Sequence, residues 1–390
     1  MKVIKVIIFL VVLTFFNSCQ TDNSAKSNGK NAPGARFDVN AFDLALITDT
    51  GSIDDKSFNQ GCWEGILRYT NERFVPHKYF QPKGHATSDL LETIDQAVNE
   101  GAKVIITPSV TFEFAVYIAQ DRYPNVNFIL VDSVPHFGPG DSTYKTSSNT
   151  VGILFAEDQA GFLAGYAAVK DGYRQLGFFG GRAIEPVFRF GHGFIQGVEF
   201  AAEEMGLASG SVSVNYIYTG TFLPSPEAQA LAASWYESGT EVIFACGGAV
   251  GKSVIAAAEK AGKKVIGVDI DQSGESPVVI TSALKGLQAA VYSCIVNYYS
   301  GRFPGGRALV FSAANRGVGL PMHTSRFSSF SIDDYNKIFN ELINGNIPRI
   351  EQMDNAGNPA AVPVSKTKVI LQPKPDWASA IQSGQEDSSR

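Results

Sequence analysis

Short apolar segments alternate with amphipathic helical segments along most of this chain, and the whole alternation occurs twice. The strand-like segments are, in chain order, "DLALITD", "HKYFQP", "KVIITPS", "NVNFILVDS" and "TVGILF", then "RQLGFFGG", "VSVNYIYTG", "EVIFACG", "KKVIGVDID" and "PVVITSALK". Continuous apolar strands joined by helices are typical of parallel sheets that are covered on both faces. The pattern therefore predicts an α/β protein with two doubly wound parallel-sheet lobes.

Length and charge limit the classes of function. A chain of 390 residues has room for two domains. Its formal net charge is −6, and Lys and Arg form no dense run. Binding to nucleic acid or to an anionic membrane surface requires clustered basic residues. The composition therefore predicts a globular protein without a nucleic-acid partner.

The N-terminus has the features of an export signal. Lys2 and Lys5 precede the apolar stretch "VIIFLVVLTFF", which ends at Phe16 and is too short to span a bilayer. Ser18 stands directly before Cys19 in "FFNSC", which resembles a bacterial lipobox. We expect Cys19 to be lipidated and to become the mature N-terminus. The alternative is an ordinary signal peptide with an incidental cysteine.

Polar side chains follow the predicted strands at the points where they end. In open α/β sheets a ligand binds beyond the carboxyl ends of the strands. The residues at those ends are Asp49, Ser109, Asp132, Asp269 and Asp271. These residues are the first candidates for a binding site, and the residue types alone leave three kinds of site open.

A metal-dependent hydrolase is the first alternative. The segment "TDTGSIDDK" resembles the "DTDPGIDD" start of nucleoside hydrolases, in which clustered carboxylates hold Ca²⁺. Here Ile47 takes the place of one carboxylate, Thr50 takes the place of the proline, and an extra residue separates Gly51 from Asp54 and the acid after it. The departures weigh against a metal site.

A nucleotide-binding loop is the second alternative. In "CGGAVGKS", the residues Gly251, Lys252 and Ser253 fit a phosphate-binding loop, but Cys246 stands where the first glycine is required. We interpret the segment as a glycine-rich turn that lets a ligand approach the backbone. The segment "GHGFIQG", from Gly191, falls within a helical pattern and is only a weak match to a dinucleotide-binding fingerprint.

A binding protein for a neutral, hydroxylated ligand is the third alternative. Carboxylates make strong hydrogen bonds with vicinal hydroxyl groups, and aromatic rings can enclose a flat ring. Phe58, Phe190 and Phe222 lie near strand ends, and Asp269 follows four apolar residues. A binding protein of this kind gives a role to more of the candidate residues than a metal-dependent hydrolase or a nucleotide-binding loop does.

Several ordered motifs resemble the basic membrane protein (Bmp) family, the lipoproteins of the purine nucleoside receptor A (PnrA)-like group. The motifs, which lie between residue 43 and about residue 300, are "ALITDTGSIDDKSFNQGCWEGI", "LFAEDQAGFLAGYAA", "GGRAIEPVFRFGHGFIQGVEF", "GTFLPSPEAQALA", "GGAVGKSVIAAAEKAGKKVIGVDIDQ" and "TSALKGLQAAVY". The resemblance implies a type I periplasmic binding protein fold. It also implies a lipid-anchored receptor on the exported side of the cell membrane, which delivers a purine nucleoside to an ABC transporter permease.

The resemblance also implies roles for individual residues. Asp49 would contact the base, Phe58 and Phe222 would enclose it, and Asp269 would accept hydrogen bonds from the ribose hydroxyls. The other implied ligand-binding residues are Asn59, Ser109, Gly248, Asp271 and Lys285. No catalysis, cofactor or metal is expected.

Two departures from the family pattern affect these expectations. "TPSVTFEF" lacks an expected "GF" near Ser109, and Pro224 and Pro226 occupy a stretch that often contains Asp. A receptor of the same fold for riboflavin or a sugar therefore stays open, as does a signalling role in place of transport.

The resemblance implies a division of the chain into segments. One lobe is predicted to comprise residues 41–173 plus 284–318, and the other 174–283 plus 319–375, so that the chain crosses between them three times. The remaining segments are a signal peptide at 1–19, a flexible tether at 20–40 and a disordered tail at 376–390.

Overall fold

The computed structural model describes residues 42–49, 51–138, 143–347 and 357–377. The predicted signal peptide with Cys19, the predicted tether and the tail from residue 378 onwards lie outside the described residues. Among the described residues, none of the helices combines the length and the hydrophobicity that a membrane span requires.

The described strands and helices follow the two predicted series. The strands are β1 (Leu44–Ile47), β2 (His77–Phe80), β3 (Val104–Pro108), β4 (Asn127–Val131), β5 (Thr150–Phe155), β6 (Gln175–Gly180), β7 (Val212–Tyr218), β8 (Val242–Cys246), β9 (Lys264–Asp269), β10 (Val279–Lys285), β11 (Arg307–Phe311), β12 (Val318–Gly319) and β13 (Thr367–Leu371). The helices are α1 (Phe58–Arg73), α2 (Thr87–Asn99), α3 (Glu113–Arg122), α4 (Glu157–Lys170), α5 (Glu185–Glu204), α6 (Pro226–Glu237), α7 (Gly251–Ala261), α8 (Leu287–Tyr299) and α9 (Ile332–Ile343).

The strands form two sheets, and the fold class predicted from the sequence is confirmed. The first sheet has the order β11-β5-β4-β3-β1-β2, and all its neighbours are parallel. The second has the order β12-β10-β9-β8-β6-β7-β13, in which only β12 is antiparallel to its neighbour. Strand β11 lies in the first sheet although β10 and β12 lie in the second. The chain therefore passes between the sheets after β5, after β10 and after β11.

The central strands are buried on both faces, as their continuous apolar sequences predict. Strands β1, β3, β8 and most of β9 are buried throughout. Because these strands are parallel and held in the core, the polar residues that follow them lie side by side at the carboxyl edge of each sheet.

Helices α4 and α5 pack backbone to backbone. A Cβ atom added at Gly165 would lie 2.2 Å from the carbonyl oxygen of Phe194, and one added at Gly193 would lie 2.0 Å from that of Asp158. The glycines of "GHGFIQG" therefore serve helix packing and not a dinucleotide. Helix α4 follows a strand of the first sheet but packs on a helix that follows a strand of the second. The predicted lobe boundary between residues 173 and 174 stays a prediction.

Candidate functional site

A cleft of about 1280 Å³ lies at the carboxyl ends of the strands of both sheets. Segments that follow β1, β2, β3 and β4 line it from the first sheet. Segments that follow β6, β7 and β8 line it from the second, together with the last residues of β9 and β10. The predicted ligand-binding residues that line it are Asp49, Phe58, Asn59, Ser109, Phe222, Gly248, Asp269 and Lys285. The structure thus brings together residues that are more than 200 positions apart in the sequence.

The acidic segment after β1 is organised by its own backbone. The carboxylate of Asp55 accepts hydrogen bonds from the backbone N–H groups of Ser57 (2.8 Å), Asn59 (3.0 Å) and Gln60 (3.1 Å). These N–H groups have no intrahelical acceptor at the start of α1, and a carboxylate there also interacts favourably with the helix dipole. Asp55 therefore caps α1.

Asp49 is held in place beside Phe58. Its Oδ1 accepts hydrogen bonds from the backbone N–H of Gly51 (2.6 Å) and from Nδ2 of Asn59 (2.9 Å). Its Oδ2 has no hydrogen-bond partner among the described residues. In the described part of the chain, no group of three or more His, Cys, Asp and Glu side chains is arranged to hold a metal ion.

The Phe222 ring packs against Gly181, which directly follows β6 of the second sheet. A Cβ atom at Gly181 would lie 2.4 Å from Cδ1 of the Phe222 ring, and one at Gly247 would lie 2.9 Å from the backbone nitrogen of Gly181. Gly248 has a φ of +59°, which favours glycine. Gly247 is therefore explained by its close approach to Gly181 and Val250, and Gly248 by its backbone conformation.

Ser253, the last residue of "CGGAVGKS", serves the fold as well. Its hydroxyl accepts from the backbone N–H of Ser225 (3.0 Å) and donates to the carbonyl oxygen of the same residue (3.0 Å). This pair of bonds ties the start of α7 to the start of α6. The position at which a phosphate-binding loop places a metal-binding hydroxyl is thus occupied by a structural contact.

The deepest part of the site contains four buried ionisable side chains, which we call the floor cluster: Asp132, Glu157, Asp269 and Lys285. The ammonium nitrogen of Lys285 lies 2.5 Å from Oδ2 of Asp132 and 3.0 Å from Oε1 of Glu157. The exposed fractions of the three side chains are 2% for Lys285, 7% for Asp132 and 3% for Glu157. The Ser57 hydroxyl donates a 2.5 Å hydrogen bond to Oδ2 of Asp269, which joins α1 to β9.

Aromatic rings surround the ammonium group of Lys285. It lies 5.1 Å from the ring centroid of Phe58, 5.4 Å from that of Phe190 and 5.5 Å from that of Phe155. A cation at this distance is attracted to the ring face, and the attraction is stronger when water is excluded. Lys285 thereby links the floor cluster to Phe58, one of the two rings predicted to enclose a base.

Burial changes the ionisation of the floor cluster. Burial raises the pKa of Asp269 to about 6 and that of Glu157 to about 7, although Lys285 opposes both shifts. Burial alone would lower the pKa of Lys285, but Asp132 and Glu157 hold it above its ordinary value. Lys285 is therefore charged at neutral pH, whereas the acids are sensitive to small changes in their surroundings.

Three strand-end residues in the cleft have unusual backbone conformations. The φ angles are +109° at Ser109, +70° at Asp132 and +66° at Asp269. Non-glycine residues in such regions cost about 1–3 kcal/mol each and are concentrated at functional sites. The Ser109 hydroxyl accepts from the backbone N–H of Thr111 (3.2 Å), so part of its hydrogen-bonding capacity is used locally.

Two carboxylate oxygens in the floor cluster are without a donor. Oδ1 of Asp132 is buried and has no hydrogen-bond partner among the described residues. Oδ1 of Asp269 likewise receives no hydrogen bond from any residue in the described ranges. Both residues line the cleft. Buried acceptors are nearly always paired, so Oδ1 of Asp132 is suited to a ligand that donates hydrogen bonds, and Oδ1 of Asp269 can accept from the same ligand.

The sequence model of the family described as "ABC transporter substrate-binding protein PnrA-like" (Bmp) matches residues 42–353. The chain belongs to this family. The members of the PnrA-like family are substrate-binding proteins of ABC transporters.

Named relatives agree with the family over most of their length. The chain is 27% identical to the "ABC transporter nucleoside-binding protein BmpA" of Lactococcus lactis, covering 87% of this chain and 96% of that protein. It is 26% identical to "Basic membrane protein B" of Borreliella burgdorferi, covering 82% of this chain and 88% of that protein.

Solved structures agree with the fold. An ABC transporter solute-binding protein from Aeropyrum pernix superposes with a TM-score of 0.70 at 19% identity, covering 89% of this chain and 98% of that chain. One from Conexibacter woesei has a TM-score of 0.62 at 21% identity, covering 80% and 99%. The protein has the type I periplasmic binding protein fold.

One residue predicted for the ligand site of this PnrA-like protein lies elsewhere. The carboxylate of Asp271 is exposed and accepts hydrogen bonds from the backbone N–H of Ser273 (3.0 Å) and the hydroxyl of Thr324 (2.6 Å). It lines a separate pocket of about 220 Å³ beside Lys56 and Gln60. The chain turns at Asp269, and Asp271 does not reach the main cleft.

Sequence reasoning missed Glu157, Arg182 and His85. Glu157 does not line the cleft but supports Lys285 from α4, whereas Arg182 and His85 line the cleft directly. Glu157 carried a usable signal, because an acid in the first turn of an otherwise apolar, glycine-rich helix directly follows a buried strand. Arg182 and His85 stand in loops without a distinctive pattern.

Proposed function

We propose that this protein captures a purine nucleoside in its cleft and delivers it to the permease of an ABC transporter. The observation that carries the proposal is the buried carboxylate of Asp269, which offers Oδ1 to the cleft while Ser57 holds Oδ2. An ionised acceptor in a desolvated site binds a hydroxyl donor strongly. A ribose diol supplies two such donors.

The remainder of the cleft suits a nucleoside. Phe58 begins α1, which follows a strand of the first sheet, and Phe222 lies in the loop after β7 of the second sheet. Both rings line the same cleft, so a flat base between them would bury both of its faces. Asp49 offers an acceptor beside Phe58, and Lys285 offers a donor near Asp269. The relative from Lactococcus lactis is named a nucleoside-binding protein, which supports the same ligand class.

A metal-dependent nucleoside hydrolase fits the acidic segment less well. One oxygen of Asp49 and both oxygens of Asp55 accept N–H hydrogen bonds, so these oxygens are committed to the fold of the loop. Riboflavin and sugars are the remaining alternatives, because an aromatic pair above a polar floor also suits them. A ligand panel distinguishes all of these.

Calorimetry on Asp269→Ala tests the proposal. Losing an acceptor for a charge-assisted hydrogen bond costs about 1.5–3 kcal/mol, so affinity should fall by about one to two orders of magnitude. The loss should be alike for guanosine, inosine and adenosine, because all three share the ribose. Asp271→Ala is the matched control and should bind as the unchanged protein does.

Calorimetry with a wider panel of ligands also tests the alternative ligands and the hydrolase. Free bases, ribose and riboflavin should bind more weakly than the nucleosides. Binding of riboflavin or a sugar alone would refute the nucleoside proposal and leave the family unchanged. Release of free base, abolished by a chelator and by Asp49→Ala, would favour the hydrolase.

Capture involves closure of the two predicted lobes about the cleft. Hinged closure around a ligand is a common transition in two-lobed binding proteins. Small-angle scattering should show a smaller radius of gyration with a saturating nucleoside than without it. An unchanged radius at saturation would count against closure.

The receptor is held at the exported side of the cell membrane by a lipid on Cys19. Stable anchoring requires more than one acyl chain, as in bacterial lipoproteins. Cys19→Ser should leave the precursor unprocessed and unlabelled by a fatty acid carrying a clickable group. Normal labelling of that variant would refute the anchor.

A further inference from the structure

Arg182 is a cleft residue that the fold does not account for. It follows β6 by two residues, is half-buried and lines the cleft. Within the described ranges its guanidinium group makes no hydrogen bond and no ion pair. Arg189, seven positions later, instead lies within 4 Å of Glu157, Asp158 and Glu185. An arginine that is partly buried without a carboxylate partner is available to a ligand.

Arg182 directly follows the residue against which the Phe222 ring packs. The Phe222 ring presses on the α-carbon of Gly181, the residue immediately before Arg182. On the opposite wall, Asn59 follows Phe58 and holds Asp49 through its side-chain amide. The chain thus attaches a cationic donor, Arg182, next to the seat of one ring and an anionic acceptor, Asp49, to the residue that follows the other ring.

His85 indicates that these two residues approach the same region. It lies in the loop after β2 and lines the cleft. Partial desolvation and the charge of Arg182 lower the pKa of His85, while the charge of Asp49 raises it. His85 is thus within electrostatic range of both Arg182 and Asp49, and all three residues line the same cleft.

Building on the proposed nucleoside function, we propose that Arg182 is a specificity-determining residue that recognises the six-position oxygen of 6-oxopurine nucleosides. Guanine presents O6 and N7 as adjacent acceptors, and a guanidinium group can donate to both. The neighbouring N1–H of guanine and hypoxanthine is a donor, and Oδ2 of Asp49, which has no hydrogen-bond partner among the described residues, can accept it. Guanine adds a second donor, its 2-amino group, for the same carboxylate.

Adenine presents the opposite pattern at the same position. Adenine keeps N7 as an acceptor for one donor of Arg182, but its 6-amino group is itself a donor and would face the second donor of Arg182 without an acceptor. A buried donor without a partner loses its hydration without compensation. The site therefore favours guanosine and inosine over adenosine, although all three bind the floor cluster through the same ribose.

The test is a matrix of dissociation constants. The ligands are guanosine, inosine, adenosine and the riboside of unsubstituted purine, and the proteins are the unchanged chain, Arg182→Met, Arg182→Lys and Lys252→Met. Lys252 is the matched control, because it is a second cation on the same side of the cleft without an ion pair in the described ranges. Its removal separates a local hydrogen bond from a change in net charge.

The expected result is selective. A bidentate contact to a base is worth about 5- to 150-fold in affinity, so Arg182→Met should weaken guanosine and inosine by about that factor. Adenosine and purine riboside offer only N7 to Arg182, so their affinity should fall by a clearly smaller factor than that of guanosine and inosine. Arg182→Lys should recover only part of the loss, since an ammonium group lacks the planar fork. Lys252→Met should affect all four ligands alike.

Two outcomes overturn the inference, and they are distinguishable from failure of the proposed function. If Arg182→Met weakens all four nucleosides equally, Arg182 acts on closure or net charge and does not recognise the base. If it changes none of them, Arg182 does not contact the ligand. In both cases nucleoside binding itself stands. If none of the four nucleosides binds the unchanged protein, the proposed function fails and the inference fails with it.

Discussion

The α4–α5 interface and the floor cluster are adjacent buried regions with opposite composition. The interface is built from glycines and aromatic residues whose backbones nearly touch, and packing explains each of them. The floor cluster, which Glu157 joins to the first turn of α4, buries four ionisable side chains and places two of them in strained backbone conformations. Folding alone would favour apolar residues there. Residues that stability does not explain are the ones that indicate function.

Breaking the floor cluster should have the largest effect on stability. Lys285→Met removes the cation and leaves Asp132 and Glu157 buried without compensation, which should cost about 3–5 kcal/mol of unfolding free energy at neutral pH. The loss should be smaller at pH 5, where the acids can take up protons. Chemical denaturation measures both values.

The control for this prediction is Lys252→Met, which should change stability by less than about 0.5 kcal/mol because Lys252 has no ion pair in the described part of the chain. If Lys285→Met were as stable as the unchanged protein at pH 7.5, the ion pairs of the floor cluster would not contribute as described.

Disturbing the α4–α5 interface should lower stability without altering recognition. The methyl group of Gly165→Ala would lie 2.2 Å from the carbonyl oxygen of Phe194, so the helices must separate. Such overpacking costs about 1–3 kcal/mol. Gly274→Ala is the matched control, since nothing lies within 4 Å of its added methyl group. A stable Gly165→Ala variant, or one with altered ligand selectivity, would contradict the separation between packing and function.

Changing pH should affect stability and binding in opposite directions. Asp269 and Glu157 have folded-state pKa values of about 6 and about 7, against ordinary values of 3.8 and 4.5. Between those limits the folded protein binds more protons than the unfolded chain. The unfolding free energy of the ligand-free protein should therefore fall as pH rises from 5 to 7.5.

Ligand binding prefers the ionised carboxylate, so nucleoside affinity should be about tenfold weaker at pH 5 than at pH 7.5. Thermal unfolding and calorimetry across this range measure the two trends. Asp269→Asn should flatten the affinity trend, because an amide does not titrate, and should weaken the stability trend, to which Glu157 still contributes. Affinity that does not change with pH would show that the ligand does not depend on a titrating acid in the floor cluster.

The sequence predicted local features well and long-range ones poorly. Strand β5 was expected over the residues that form it, and the helix-capping role of Asp55 follows from its position before α1. The pattern did not reveal α8, β11 or β13, which belong to the part of the chain that returns between the two sheets. That return depends on packing among segments far apart in the sequence.

The site shows the same limit. Asp49, Phe58 and Asp269 could be identified because each follows or precedes an apolar strand in a recognisable motif. Asp271 could not be separated from Asp269 by sequence, because the distinction arises from a turn with a φ of +66° at Asp269. Arg182 becomes a candidate only from the structure, where it lines the cleft directly after Gly181, the residue against which the Phe222 ring packs.

The most direct test of the account is a crystal structure of the protein grown with guanosine. We predict that the base lies between Phe58 and Phe222, that the ribose diol donates to Oδ1 of Asp269, and that Arg182 lies within hydrogen-bond distance of O6. A ligand bound in the reverse direction, with the base on the floor cluster and the ribose beside Asp49, would contradict it. So would a cleft that stays empty at saturating guanosine.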